Sequence, residues 1–193
     1  MNNYDIIVAA EEQFAREVTF GVLYQRPLSV WYYLIPGMFI IDFLRRGTAI
    51  RRYTQTFMFP RKLALQAAHD VLRGYDTTSV DRRIHSEIQK WLDSHHLLSA
   101  ELFRTQKRAV DVLLEHYTKL LQTDGDRYYD LIEAAYESRG DFQEFIDQIS
   151  AAEKEVDQAI LALRGDNEKL IEKLQLEAQQ VADRRTRILE AIY

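Results

Sequence analysis

PLSVWYYLIPGMFII, Pro27 to Ile41, carries no charge over fifteen residues, and DFLRRGTAIRR then closes the stretch at Arg52 on four arginines. Whether this block is the buried centre of a soluble bundle or an element that meets lipid decides the architecture. A spanning helix needs about twenty apolar residues. Pro27–Ile41 falls short of that, and reaching Leu44 brings in Asp42, so a simple transmembrane helix is marginal. Pro36-Gly37 divides the run, because proline removes a backbone donor and glycine loosens the chain beside it. A re-entrant or surface-lying hairpin therefore fits better than a straight span. Its membrane contacts are expected at Trp31, Tyr32, Tyr33, Ile35, Met38, Phe39 and Ile40, with Arg26, Arg45, Arg46, Arg51 and Arg52 binding anionic headgroups. The competing reading buries residues 27–44 in the core of a soluble helical adaptor or in a partner interface, since an all-apolar helix is also the normal centre of a bundle.

Working outward, the composition favours long helices with few turns. Among 193 residues there are seven glycines, three prolines and no cysteine, which excludes disulfides, thiolate nucleophiles and Cys-based metal sites. The net charge of −5 is unevenly spread: residues 1–73 hold nine Lys and Arg against six Asp and Glu, and residues 74–193 hold sixteen against twenty-four. Within Arg26–Lys62 seven basic residues face one acid, Asp42, so the basic patch and the apolar run coincide. Two regions are expected: an apolar and basic N-terminal part, 1–74, and an acidic helical bundle, 75–193. Glu11, Glu12 and Glu17 precede any long apolar run, so a secretory leader is not expected, and the protein is placed at the cytoplasmic face of a membrane, or in the cytoplasm on the alternative reading.

Ile7, Phe14, Val18 and Val22 form one stripe at helical spacing and predict a first helix over Tyr4–Tyr24, ended by Gln25-Arg26-Pro27. Gly47 is read as a helix end after Arg45-Arg46. Pro60 is read as the first turn of a further helix that Gly74 terminates. Val80, Ile84, Ile88, Trp91, His95, Leu98 and Leu102 keep a spacing of three or four, which favours one long helix to Leu121 over two split at Ser94-His95-His96. Gly125, Gly140 and Gly165 punctuate the rest into a short helix over Asp126–Ser138 and two longer ones, Asp141–Arg164 and Asp166–Ile192. In the last two, Phe142, Ile149, Val156 and Leu163 are seven apart, and Leu174, Val181 and Ile188 repeat the interval. Such a seam predicts a coiled-coil-like hairpin over 141–192 for self-association.

No motif carries chemistry. The Glu-x-x-His pairs of a dimetal bundle are absent, and Asp81 with His85 reads as a surface pair one turn apart. His95 lies on its helix's apolar stripe and is expected inside, bonded to a neighbour, while His96 points to solvent. Asp124-Gly125-Asp126 lacks the offsets of a calcium loop, and no phosphate-cradling or nucleophile-elbow motif occurs. Glu11-Glu12 and Arg184-Arg185 read as solvated faces. The acidic remainder argues against nucleic acid. The sequence thus predicts an all-α, non-enzymatic, membrane-associated scaffold or accessory subunit without metal or cofactor, which binds a lipid surface and either itself or a protein partner.

Overall fold

In a computed structural model the described residues are 2–23, 38–165 and 167–193, side chains at 23, 38–47 and 49 excepted. They form seven helices and no strand: α1 Asn3–Leu23, α2 Met38–Leu72, α3 Thr77–Ser94, α4 Ala100–Leu121, α5 Tyr128–Ala135, α6 Arg139–Arg164 and α7 Glu168–Ile192. The chain is all-α. Trp31, Tyr32, Tyr33, Ile35, the Pro36-Gly37 break and Arg26 lie outside the described residues, as do the side chains of Met38, Phe39, Ile40, Arg45 and Arg46.

Helix-to-helix packing closes a ring: α1 lies on α2, α2 on α4, α4 on α6, α6 on α7, and α7 returns to α1. The small helix α5 touches α1, α4 and α7, and α3 lies against α2 and α4. One hydrophobic core draws on every helix, with Ile7, Ile84, Ile88, Leu92, Leu120 and Ile149 among its fully buried members. Each such side chain contributes about 1.5–3 kcal/mol relative to exposure.

The first helix matches its expected span, but three boundaries differ. α2 does not stop at Gly47. A glycine end needs a positive φ, and among the described glycines only Gly74 (φ 86°) and Gly165 (φ 76°) have one. Nor does Pro60 open a helix; it sits inside α2. The buried Phe57 and Met58 before it, and Ala64, Leu65, Ala67 and Ala68 after it, belong to one packed face, and packing on that scale outweighs the roughly 3 kcal/mol that an interior proline costs. The Arg61 guanidinium also donates to the Phe57 carbonyl at 3.1 Å, within the turn where proline removes a donor. Finally, α3 and α4 are two helices rather than one. His96 takes the left-handed conformation (φ 54°), His96 N–H donates to Asp93 C=O at 3.0 Å, and Leu97 N–H donates to Leu92 C=O at 2.9 Å. This is the Schellman arrangement, with histidine where glycine is usual. Ser99 then caps α4 by accepting from Leu102 N–H at 3.0 Å.

The split changes the stripe as well. α3 buries Val80, Ile84, Ile88 and Leu92; Trp91 is half-buried, stacked on Phe59 at 4.9 Å, and Leu98 is 54% exposed. His95 is exposed rather than interior, its Nδ1 2.7 Å from the Trp91 carbonyl.

Candidate functional site

The registers of the helices fix where α1 ends and where α2 begins. Tyr4 of α1 meets Gln66 and His69 of α2, Phe14 stacks near Phe57 at 5.9 Å, and Thr19 meets Thr54 at 3.1 Å, so the two helices are antiparallel. The end of α1 and the start of α2 therefore lie toward the same end of the bundle. α2 has already run from Met38 to Ile50, roughly 20 Å at 1.5 Å per residue, before it comes level with the last turn of α1. Phe59–Trp91 and Asp70–Arg83 contacts make α3 antiparallel to α2, which brings the α3–α4 turn to the same end. Arg164 reaches the His95 carbonyl at 3.5 Å and brings the end of α6 there too. Three of the exposed large apolar side chains, Phe20 (46%), Leu98 (54%) and Leu163 (41%), belong to these end segments. Arg51 and Arg52 are exposed beside them. Among the described residues no helix is long and apolar enough to cross a membrane.

Of the seven seam residues, Phe142, Ile149, Val181 and Ile188 are buried in the chain's own core, Val156 and Leu174 are half-buried, and Leu163 is exposed.

Across the middle of the bundle runs a feature that sequence reasoning placed on the surface. Arg61 is 4% exposed, its Nε 3.2 Å from Glu11 and its Nη2 3.0 Å from Glu153. Its guanidinium lies 3.8 Å from the Phe57 ring centroid. Arg185, also buried, holds the same Glu153 carboxylate through both terminal nitrogens, at 2.7 and 3.0 Å, and reaches Ser150 at 3.0 Å. The seam thus joins α1, α2, α6 and α7 by alternating charge, Glu11–Arg61–Glu153–Arg185. Glu11 and Arg185 are consequently not solvated faces, and Arg61 does not belong to a lipid-facing patch. Arg184 pairs with Glu17 at 3.0 Å, and Lys62 with Glu12 at 3.0 Å. Burial works to raise the Glu153 carboxyl, but the Arg185 and Arg61 guanidiniums outweigh it and hold the group below its ordinary value. The wholly buried Tyr117 hydroxyl has no hydrogen-bond partner among the described residues; burial first, and the nearby Glu11 charge second, push its pKa well up.

A second carboxylate group adjoins the seam. Tyr53 of α2 donates to Glu177 of α7, and Lys173 lies 4.7 Å from the Tyr53 ring centroid. Asp157 of α6 is raised to about 7, by burial first and then by the Glu177 and Glu153 charges. Burial also raises Glu177.

The sequence did hold a signal for the seam. Glu11 falls between Ile7 and Phe14 on the stripe of α1, Glu153 between Ile149 and Val156, and Arg185 between Val181 and Ile188. A charge at a stripe position is a candidate for buried pairing.

The remaining candidates are structural. Asp81 pairs with Lys107 at 2.9 Å while the exposed His85 packs its ring 4.3 Å from Phe103, and His96 is exposed. Asp124-Gly125-Asp126 forms the turn before α5, where Asp130 accepts from Arg127 N–H at 3.0 Å. Among the described residues no group of three or more His, Asp or Glu can hold a metal ion. No protein-family model matches the sequence, and neither a curated protein nor a solved structure is similar to it.

Proposed function

We propose that the protein is a non-catalytic, membrane-associated helical scaffold or accessory subunit whose apolar end docks on or in an anionic leaflet at the cytoplasmic face, monotopic or re-entrant. The observation that carries this reading is the antiparallel pairing of α1 and α2, which brings the end of α1 and the start of α2 toward one end of the bundle, where Arg51 and Arg52 are exposed. Trp31, Tyr32, Tyr33, Ile35, Met38, Phe39 and Ile40 would meet acyl chains, and Arg26, Arg45, Arg46, Arg51 and Arg52 the headgroups. Phe20, Leu98 and Leu163 extend the apolar surface at that end. Each surface-proximal arginine adds about 1 kcal/mol of attraction to an anionic membrane.

The α6–α7 pair, coiled-coil-like in its seven-residue spacing, would serve self-association or a protein partner. Four of its seam residues already pack internally, so a second helix would meet Val156, Leu163 and Leu174. Replacing Arg45, Arg46, Arg51 and Arg52 by glutamate tests the lipid reading: co-sedimentation with anionic vesicles is expected to disappear while the circular dichroism is unchanged. Undiminished co-sedimentation would refute the electrostatic part. A native protein that stays monodisperse and ignores vesicles would favour the soluble adaptor.

A further inference from the structure

At the opposite end of the bundle, where Tyr193 Oη reaches the Tyr136 carbonyl at 3.2 Å, α4, α5 and α6 enclose a cleft of about 330 Å³ that lipid docking does not use. Its size is at the lower limit of small-molecule sites. The floor is aromatic. His116, 2% exposed, stacks on Phe145 with ring centroids 3.9 Å apart and planes 8° from parallel, and its Nδ1 lies 2.7 Å from Tyr136 Oη. Burial first, then the Arg185 and Lys119 charges, lower the imidazole to about 3, so the floor is neutral at physiological pH. Nε2 of this nine-tenths-buried ring has no hydrogen-bond partner among the described residues, and the ring lines the cleft. With the ring proton on Nδ1 donated to Tyr136, Nε2 is left an acceptor.

The walls are acidic. Glu115, Glu137, Asp141 and Glu144 line the cleft against one cation, Lys119, which is held 3.0 Å from Glu115 and 5.4 Å from the Tyr136 ring centroid. A neutral aromatic floor, an imidazole acceptor and surplus carboxylates at the rim are the complement of an alkylammonium: the carbon chain covers the rings while each ammonium meets a carboxylate or a π-face. A bare metal ion lacks three converging ligands here.

We propose that this cleft binds an organic cation of the polyamine class. Spermidine titrated into the full chain, followed by calorimetry and by the histidine ring resonances, is expected to show one saturable site and to shift His116. Glu137→Gln with Glu144→Gln should weaken binding at least tenfold, while Asp183→Asn with Glu190→Gln, an equal charge change on α7, leaves it unaltered. The proposal is overturned if His116 does not move at saturating spermidine, if both double variants weaken binding alike, as general attraction to an acidic protein would, or if magnesium chloride shifts the same resonances at lower concentration than spermidine.

Discussion

Nine residues apart on α2, Arg52 and Arg61 meet opposite surroundings: the first is exposed near the apolar end, the second is 4% exposed between Glu11, Glu153 and the Phe57 ring. Both add one positive charge to the same sequence window. The difference teaches that a segment's formal charge is not its surface charge, because position on the apolar stripe decides which cations reach water. Arg61 and Lys62 are matched by Glu11, Glu153 and Glu12, whereas Arg51 and Arg52 are exposed.

The strongest way to break this comparison is to truncate both residues. Arg61→Ala leaves Glu11 buried without its cation and Glu153 with Arg185 alone, and should cost about 3–5 kcal/mol, while Arg52→Ala should change stability by less than about 0.5 kcal/mol. Urea unfolding reads both; equal losses would show that the seam is no different from the surface. Replacing the charges of the seam together by apolar residues of similar volume should recover much of the loss, since burying ions offsets most of their attraction.

Next in size is a pH effect from the carboxylates beside the seam. Asp157 faces Glu153 on its own helix, Glu177 from α7 and Tyr53 from α2, with Arg61 and Lys173 as the nearby cations. Its folded pKa of about 7 lies above the ordinary 3.8, so between these values the folded chain holds a proton that the unfolded chain has released. The corresponding stability is fully present below about pH 4 and is lost as pH rises through 7; after screening it is on the order of 2 kcal/mol. Glu177, raised in the same direction, steepens the slope. Asp157→Asn should flatten the thermal-stability profile between pH 5 and 8 and raise the melting temperature at pH 8. A variant as pH-sensitive as the parent would remove Asp157 from this account.

The smallest effect concerns the turn at the apolar end. His96 holds a left-handed φ of 54° that glycine adopts without strain. His96→Gly should therefore stabilise the chain by roughly 0.5–1 kcal/mol in urea unfolding. A loss instead would mean that the imidazole contributes more than the strain removes.

That turn also explains what sequence could and could not reveal. The helix class, the first helix, and the stops at Gly74 and Gly165 follow from periodicity and from residues with one conformational use. The α3–α4 break at Ser94-His95-His96 ranks second in the sequence because a Schellman end built on histidine carries no glycine signal. Gly47 and Pro60 carried signals that tertiary packing overruled. The buried seam was misplaced for a related reason. Glu11-Glu12 and Arg184-Arg185 look like solvated doublets as pairs, and only their phase relative to Ile7, Phe14, Val181 and Ile188 separates the buried member from its neighbour.

The central claim, the proposal that the uncharged block meets acyl chains, can be measured directly through the chain's two tryptophans. Trp91 is stacked on Phe59, so Trp91→Phe leaves Trp31 as the single indole. With anionic vesicles whose acyl chains carry bromine, emission from Trp31 is predicted to shift to the blue and to be quenched, most strongly by bromine placed near the interface. Emission that is the same with and without vesicles, and unquenched at every bromine depth, would contradict the account.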